Sequence, residues 1–148
     1  MPHERRRDAQ EQSVEQLLDS AQHGHRCAYA CNRNERVALA RRARSGELNQ
    51  VFRNCYVRPD YWDSLRPAER TWHICRTVNQ YNPGVVFAGK TAATLLGFPL
   101  SHAVHDGTIV CAARRNWIFR TDSAYLHGYG LGNQHAGIAG HESGTHIW

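Results

Sequence analysis

Three stretches of the sequence predict an α+β protein. Val14, Leu17, Leu18 and Ala21 fall at i, i+3, i+4 and i+7, one apolar stripe on a helix of about residues 10–22. An arginine-rich segment of about residues 33–44 opens with Asn32 in N-cap position and Glu35 three residues later, a capping-box spacing. Two short β-forming runs, residues 48–52 and 55–57, are joined by Arg53-Asn54. In that order the pieces spell a winged helix-turn-helix over residues 10–60, with a small α/β segment to follow at 61–120.

The elements follow one another with recognisable punctuation. Residues 1–9, which include Arg5, Arg6 and Arg7, precede the first apolar stripe and read as a mobile basic start. Gly24 ends the first helix. The second stops at Ser45-Gly46, where glycine supplies a left-handed C-cap. At about 100° per residue, Arg33, Arg36, Ala40, Arg41 and Arg44 share one broad face of it, while Leu39 and Ala43 point elsewhere. Asn54 occupies the hairpin position that demands positive φ, which asparagine tolerates.

Pro59-Asp60 marks a boundary. Arg66-Pro67 opens a further helix, with proline where its missing N–H costs nothing, and Ala68, Trp72, Cys75 and Val78 form its apolar stripe. Residues 85–88 read as a short buried strand, 91–96 as a short helix closed by Gly97, and 108–112 as another strand. Residues 121–148 hold six of the twelve glycines, four histidines, no Lys or Arg and no period, so they read as a loop-like tail.

The 148 residues suffice for one ordinary domain or two small ones. No apolar run approaches the ~20 residues of a membrane span, and the N-terminus lacks the apolar core of a secretory signal. The expectation is a cytoplasmic protein without a membrane partner. Five scattered cysteines argue for buried thiols and against a disulfide framework. Net charge is +5, and all but one of the 18 basic residues are arginine, whose planar fork suits phosphate. From Arg26 to Arg58 eight arginines face only Glu35 and Glu47.

Residues 84–91, G-V-V-F-A-G-K-T, match the letters of a phosphate-binding loop. Such a loop follows a buried strand and curls its amides around the anion. Here a polar turn precedes Gly84, and the intervening Val85, Val86 and Phe87 are strand formers that resist that curl. A nucleotide-binding enzyme resting on Lys90 and Thr91 is therefore only a remote alternative. His23, His25, Cys27 and Cys31 are metal-ligand types at a spacing that fits no zinc ribbon. His141 and His146 are one residue too far apart for a zinc-protease pair, and Ser143-Gly144 would break the helix they need. No catalytic constellation, metal site or cofactor site is indicated, and the chain does not read as an enzyme. Tyr56, Trp62 and Trp72 read as packing residues.

The stretch from Gly46 to Trp62, G-E-L-N-Q-V-F-R-N-C-Y-V-R-P-D-Y-W, resembles the wing of the AbiEi-like antitoxins, winged-helix regulators of bacterial abortive-infection toxin–antitoxin systems. There a Gly-x-Leu leads into a hairpin that ends Arg-Gly-x-Tyr. The following V-V-F-A-G-K-T-A-A-T-L-L-G-F-P-L-S is similar to the family's next block, matching it at Ala92, Ala93, Gly97, Pro99 and Leu100. Thr91 stands where relatives usually have serine, and Asn54 where they commonly have glycine. The resemblance covers about residues 11–115. It implies a DNA-binding domain that represses its own promoter, and a further part that neutralises a nucleotidyltransferase-like toxin. Since the chain ends soon after the second block begins, it reads as a shortened or frame-altered member.

Arg33, Arg36, Arg41 and Arg44 on the helix and Arg53 in the wing are the candidate contacts to double-stranded DNA, through phosphates or guanine edges. A homodimer would impose a two-fold operator. The alternative reading is a toxin-binding interaction module that does not touch DNA. Exposure of the arginine face, and its continuity with the Arg53 hairpin, separate the two.

Overall fold

A computed structural model describes residues 2–113 and the strand backbones at 117–120, 125–130, 139–140 and 146–147. The protein is α+β. Helix α1, Pro2–His23, begins well before the first apolar stripe, so the basic start expected to be mobile is drawn into it. Ordinary helix formers fill those positions, and the stripe at Val14, Leu18 and Ala21, all buried, anchors the far end.

The break after α1 carries a short strand, β1, Ala28–Tyr29, and α2 follows at Arg33–Arg44. The Asn32 side chain accepts the Glu35 N–H at 2.9 Å, and the Glu35 carboxylate accepts the Cys31 N–H at 2.8 Å. The reciprocal cap predicted from spacing thus forms with its second bond one residue further out. Gly46, at φ +85°, ends the helix. Strands β2, Asn49–Phe52, and β3, Cys55–Val57, form the expected hairpin, and Asn54 takes φ +59° in its turn. Its amide donates to the Ala30 carbonyl at 2.8 Å, tying the turn to the end of β1.

These three strands make an antiparallel sheet in the order β1-β3-β2. Alternation along β3 sends Tyr56 to one face and Cys55 and Val57 to the other. Tyr56 and Ala28 join Val14, Leu18, Ala38, Leu39 and Leu48 in one apolar cluster beneath α1 and α2. Cys55 and Val57 join Cys27, Val51 and Phe52 in a second, larger cluster. A short helix α3, Pro59–Ser64, contributes Trp62 to that cluster, and α4, Pro67–Tyr81, contributes Ile74, Cys75 and Val78. The second cluster therefore draws on both sides of Pro59. Fully burying side chains such as Leu39 or Ile74 is worth about 1.5–3 kcal/mol each, so the sheet is held from both faces.

Strand β4, Val86–Phe87, helix α5, Gly89–Leu95, and strand β5, Thr108–Ala113, complete the second segment. β4 pairs antiparallel with β5. The tail departs from the loop-like expectation. β7, Tyr125–Gly130, pairs in parallel with β5 and antiparallel with β6, Trp117–Arg120. β8, Ala139–Gly140, pairs with β9, His146–Ile147, which lies parallel to β4. A glycine-rich run has little strand propensity of its own, so pairing of β7 with β5 and of β9 with β4, not local pattern, makes these strands. The rest of the loop-like tail lies outside the described residues.

Candidate nucleic-acid interface

Helix α2 and the β2–β3 hairpin bring Arg36 and Arg53 into one groove, while Arg41 lines a separate cleft against α1 with Gln10 and Glu11. Arg33, Arg36, Arg41, Arg44 and Arg53 are all exposed. Leu39 and Ala38 are buried on the opposite side of α2 and seat it against α1. Ser45 hydrogen-bonds Glu47 and the Arg42 carbonyl, closing the helix end.

The other three arginines of the basic stretch bind side chains of other elements, while Arg44 donates to the Ala40 carbonyl of its own helix at 3.3 Å. Arg42 pairs with Glu15 and lies 3.9 Å from Glu47, and Arg58 pairs with Glu15 at 2.7 Å and Asp19 at 2.8 Å. Arg26 donates to the Gln80 side chain. Hydrogen bonds from Arg42 and Arg58, opposed by a little burial, hold the Glu15 carboxyl below its ordinary value. Composition cannot separate these structural arginines from the solvent-facing ones. The signal is the set of acids on α1 at helical spacing, Glu15 and Asp19, which face α2 and the hairpin's exit.

Arg36 and Arg53 come from different elements and line one groove of about 470 Å³, together with Tyr29, Gln50, Asn54 and Tyr56. The floor is rigid. Tyr56 is buried beneath α2, and burial raises its hydroxyl while Arg36 and Arg44 pull the other way. Tyr29 stacks on Tyr81 with ring centroids 4.0 Å apart and planes 13° from parallel. The groove's polar lining offers two guanidinium forks and several amide groups, a set that suits an anion with oxygen acceptors.

The residues singled out for other chemistry fall elsewhere. In the G-x-x-x-x-G-K-T stretch, β4 lies between the two glycines and Gly89, at φ +55°, starts α5. Lys90 is ion-paired with Asp106. The Thr91 hydroxyl is buried and accepts the Val110 N–H at 2.9 Å. This is strand-to-helix packing, not an anion cradle. Burial pushes the Cys27 thiol up to about 12 and Cys111 to about 11, and raises Cys55 and Cys75 well above the ordinary range. Thiols so shifted are not nucleophiles at neutral pH. Among the described residues no three His, Cys, Asp or Glu side chains gather as metal ligands. The His141–His146 spacing lies outside the described side chains. No described helix is long and apolar enough to cross a membrane.

No protein-family model, curated protein or solved structure matches the chain.

Proposed function

We propose that the protein is a DNA-binding transcriptional regulator of antitoxin type. The observation that carries this reading is the shared groove of Arg36 and Arg53, set beside the solvent-facing Arg33, Arg41 and Arg44. Cations on a helix and on an adjacent hairpin tip match the two contact points of a winged helix on a duplex: helix in the major groove, wing on the backbone. The β1-β3-β2 order supports the same reading. One feature departs from the usual form, since a single helix, α2, lies between β1 and β2.

In this reading the mechanism is occupancy of an operator. Arginine–phosphate contacts supply affinity and position, and base edges facing α2 supply sequence preference. The resemblance to AbiEi-like antitoxins adds repression of the protein's own promoter and a nucleotidyltransferase-like toxin as partner. A mobility-shift assay on duplex from the upstream region tests the proposal. Wild-type protein shifts it, and Arg36→Ala/Arg41→Ala shifts it at far higher concentration; equal shifting by both removes α2 from the account.

The second reading, a toxin-binding module, is favoured by one observation. Leu96 and Phe98, just after α5, are 47% and 61% exposed. Loss of toxin neutralisation in Phe98→Asp with unchanged DNA binding supports that role for this patch. Neutralisation by the full chain with no duplex binding at all favours it over the regulator.

A further inference from the structure

We infer that Val37 reads sequence from α2, as the apolar contact for the C5-methyl group of a thymine in the major groove; this rests on the DNA-binding reading above. Val37 is 57% exposed, one of three large apolar side chains so placed among the described residues, with Leu96 and Phe98. On α2 it stands one turn after Arg33, one turn before Arg41 and two turns before Arg44, all of which reach solvent. The far side of the helix is accounted for. Ala38 and Leu39 are in the core, Arg42 holds Glu15, and Glu35 caps the Cys31 amide. Val37 is therefore the apolar centre of a cationic face.

Folding alone gives no reason for valine here. Its branched Cβ is restricted in a helix, and Ala, Lys or Arg would favour the helix more. At this exposure its side chain gains little packing in return. Against a duplex the balance changes. Thymine alone among the four bases presents a methyl group in the major groove, and an apolar side chain is its matching contact. Arginines one turn to either side would bring that valine to the base edges, with guanidiniums on phosphates or guanines. Valine cannot hydrogen-bond, so its discrimination must come from the methyl itself.

The test separates this inference from DNA binding as such. A duplex is selected with the full chain from a randomised pool, and each thymine is then replaced singly by deoxyuridine, which removes only the methyl. Wild-type protein should lose about fourfold in Kd at one position, the worth of one buried methyl-sized group. Val37→Ser, a surface change, should bind the thymine and deoxyuridine duplexes equally there. A full penalty retained by Val37→Ser, or indifference of the wild type to every replacement, overturns the inference and leaves DNA binding standing. If the wild type selects no duplex at all, both readings fall.

Discussion

The hydroxyl oxygen of Thr91 accepts the N–H of Val110 at 2.9 Å and so fastens the first turn of α5 to β5. On the other side of the same residue, the Val110 carbonyl accepts the Ala88 N–H at 3.0 Å. Thr91→Val keeps the shape and removes the acceptor, leaving a buried amide unpaired. Urea denaturation should show a loss of about 1–3 kcal/mol. Thr91→Ser should recover most of it, and addition of ATP should leave the midpoint of either protein unchanged.

Next to this bond, Asp106 carries an acid-sensitive pair. Partial burial raises its carboxyl, but hydrogen bonds from Lys90 and Thr108 prevail and hold it down to about 2. The folded value thus lies below the unfolded one of about 3.9. Its contribution is present above that value and is lost as pH falls through about 2. Asp106→Asn should therefore lose less stability than wild type between those two pH values. At neutral pH the substitution should cost about 1 kcal/mol or less, since the Asp106 carboxylate is largely exposed and its pairing is screened by water.

His73 responds over a higher window. It is 3% exposed, its Nδ1 lies 2.6 Å from the Glu69 carbonyl and its Nε2 2.7 Å from the Tyr61 hydroxyl. A neutral ring satisfies both contacts, Nδ1–H donating to the carbonyl and Nε2 accepting from Tyr61. Burial, together with the nearby His25 and Arg76, lowers its pKa against the opposing pull of Glu69. The stabilisation is complete above the unfolded value of about 6.5 and declines as pH falls below it. NMR titration of the ring should give a midpoint below that of a free histidine, and Tyr61→Phe should cost about 1–3 kcal/mol by stranding Nε2.

At the hairpin, Asn54 combines a positive φ with its hydrogen bond to Ala30. Asn54→Ala loses the bond and puts a Cβ-bearing residue of low left-handed preference in the turn. A fall of about 1–3 kcal/mol is expected from the two effects together. Asn54→Gly relieves the backbone and loses only the bond, so its melting temperature should lie between those of wild type and Asn54→Ala.

For DNA, the salt dependence of binding distinguishes solvent-facing arginines from internal ones. Removing one arginine from a phosphate should reduce the slope of log K against log salt by about 0.9. Arg36→Ala/Arg53→Ala should lower it by about two such steps, measured by fluorescence anisotropy at several salt concentrations. Arg42→Ala, which removes the partner of Glu15, should leave the slope nearly unchanged while lowering stability. A slope change as large for Arg42 as for Arg36 would mean that α2 does not face the duplex as proposed.

Much of the fold is legible in the sequence because several signals agree at each element. Asn32 with Glu35, Gly46 and Asn54 are local devices, and each sits where its backbone chemistry requires. The stripe predicted for α4 is in part displaced, because Ala68 and Trp72 are only half-buried while Thr71, His73 and Thr77 are buried with Cys75 and Val78. Pattern reading sends polar residues outward, yet these three satisfy themselves on carbonyls one turn back: Pro67, Glu69 and His73. The tail strands are illegible for a different reason, since β7 rests on β5 and β9 on β4, pairings that no local pattern in the tail encodes. At the candidate interface, helical spacing and the hairpin suffice to pick the arginines. That Arg36 and Arg53 share a groove, and that Val37 lies bare beside Arg33 and Arg41, depends on the packing of α2 over Tyr56.

The β1-β3-β2 sheet has one further consequence. Because Cys27, Val51, Phe52, Cys55 and Val57 sit in a cluster with Trp62, Ile74 and Phe87, a fragment cut after the hairpin would turn an oily underside to water. Dissection at that point should yield an insoluble or self-associating piece, and any study of the isolated arginine-bearing half must carry α4 along as its ballast.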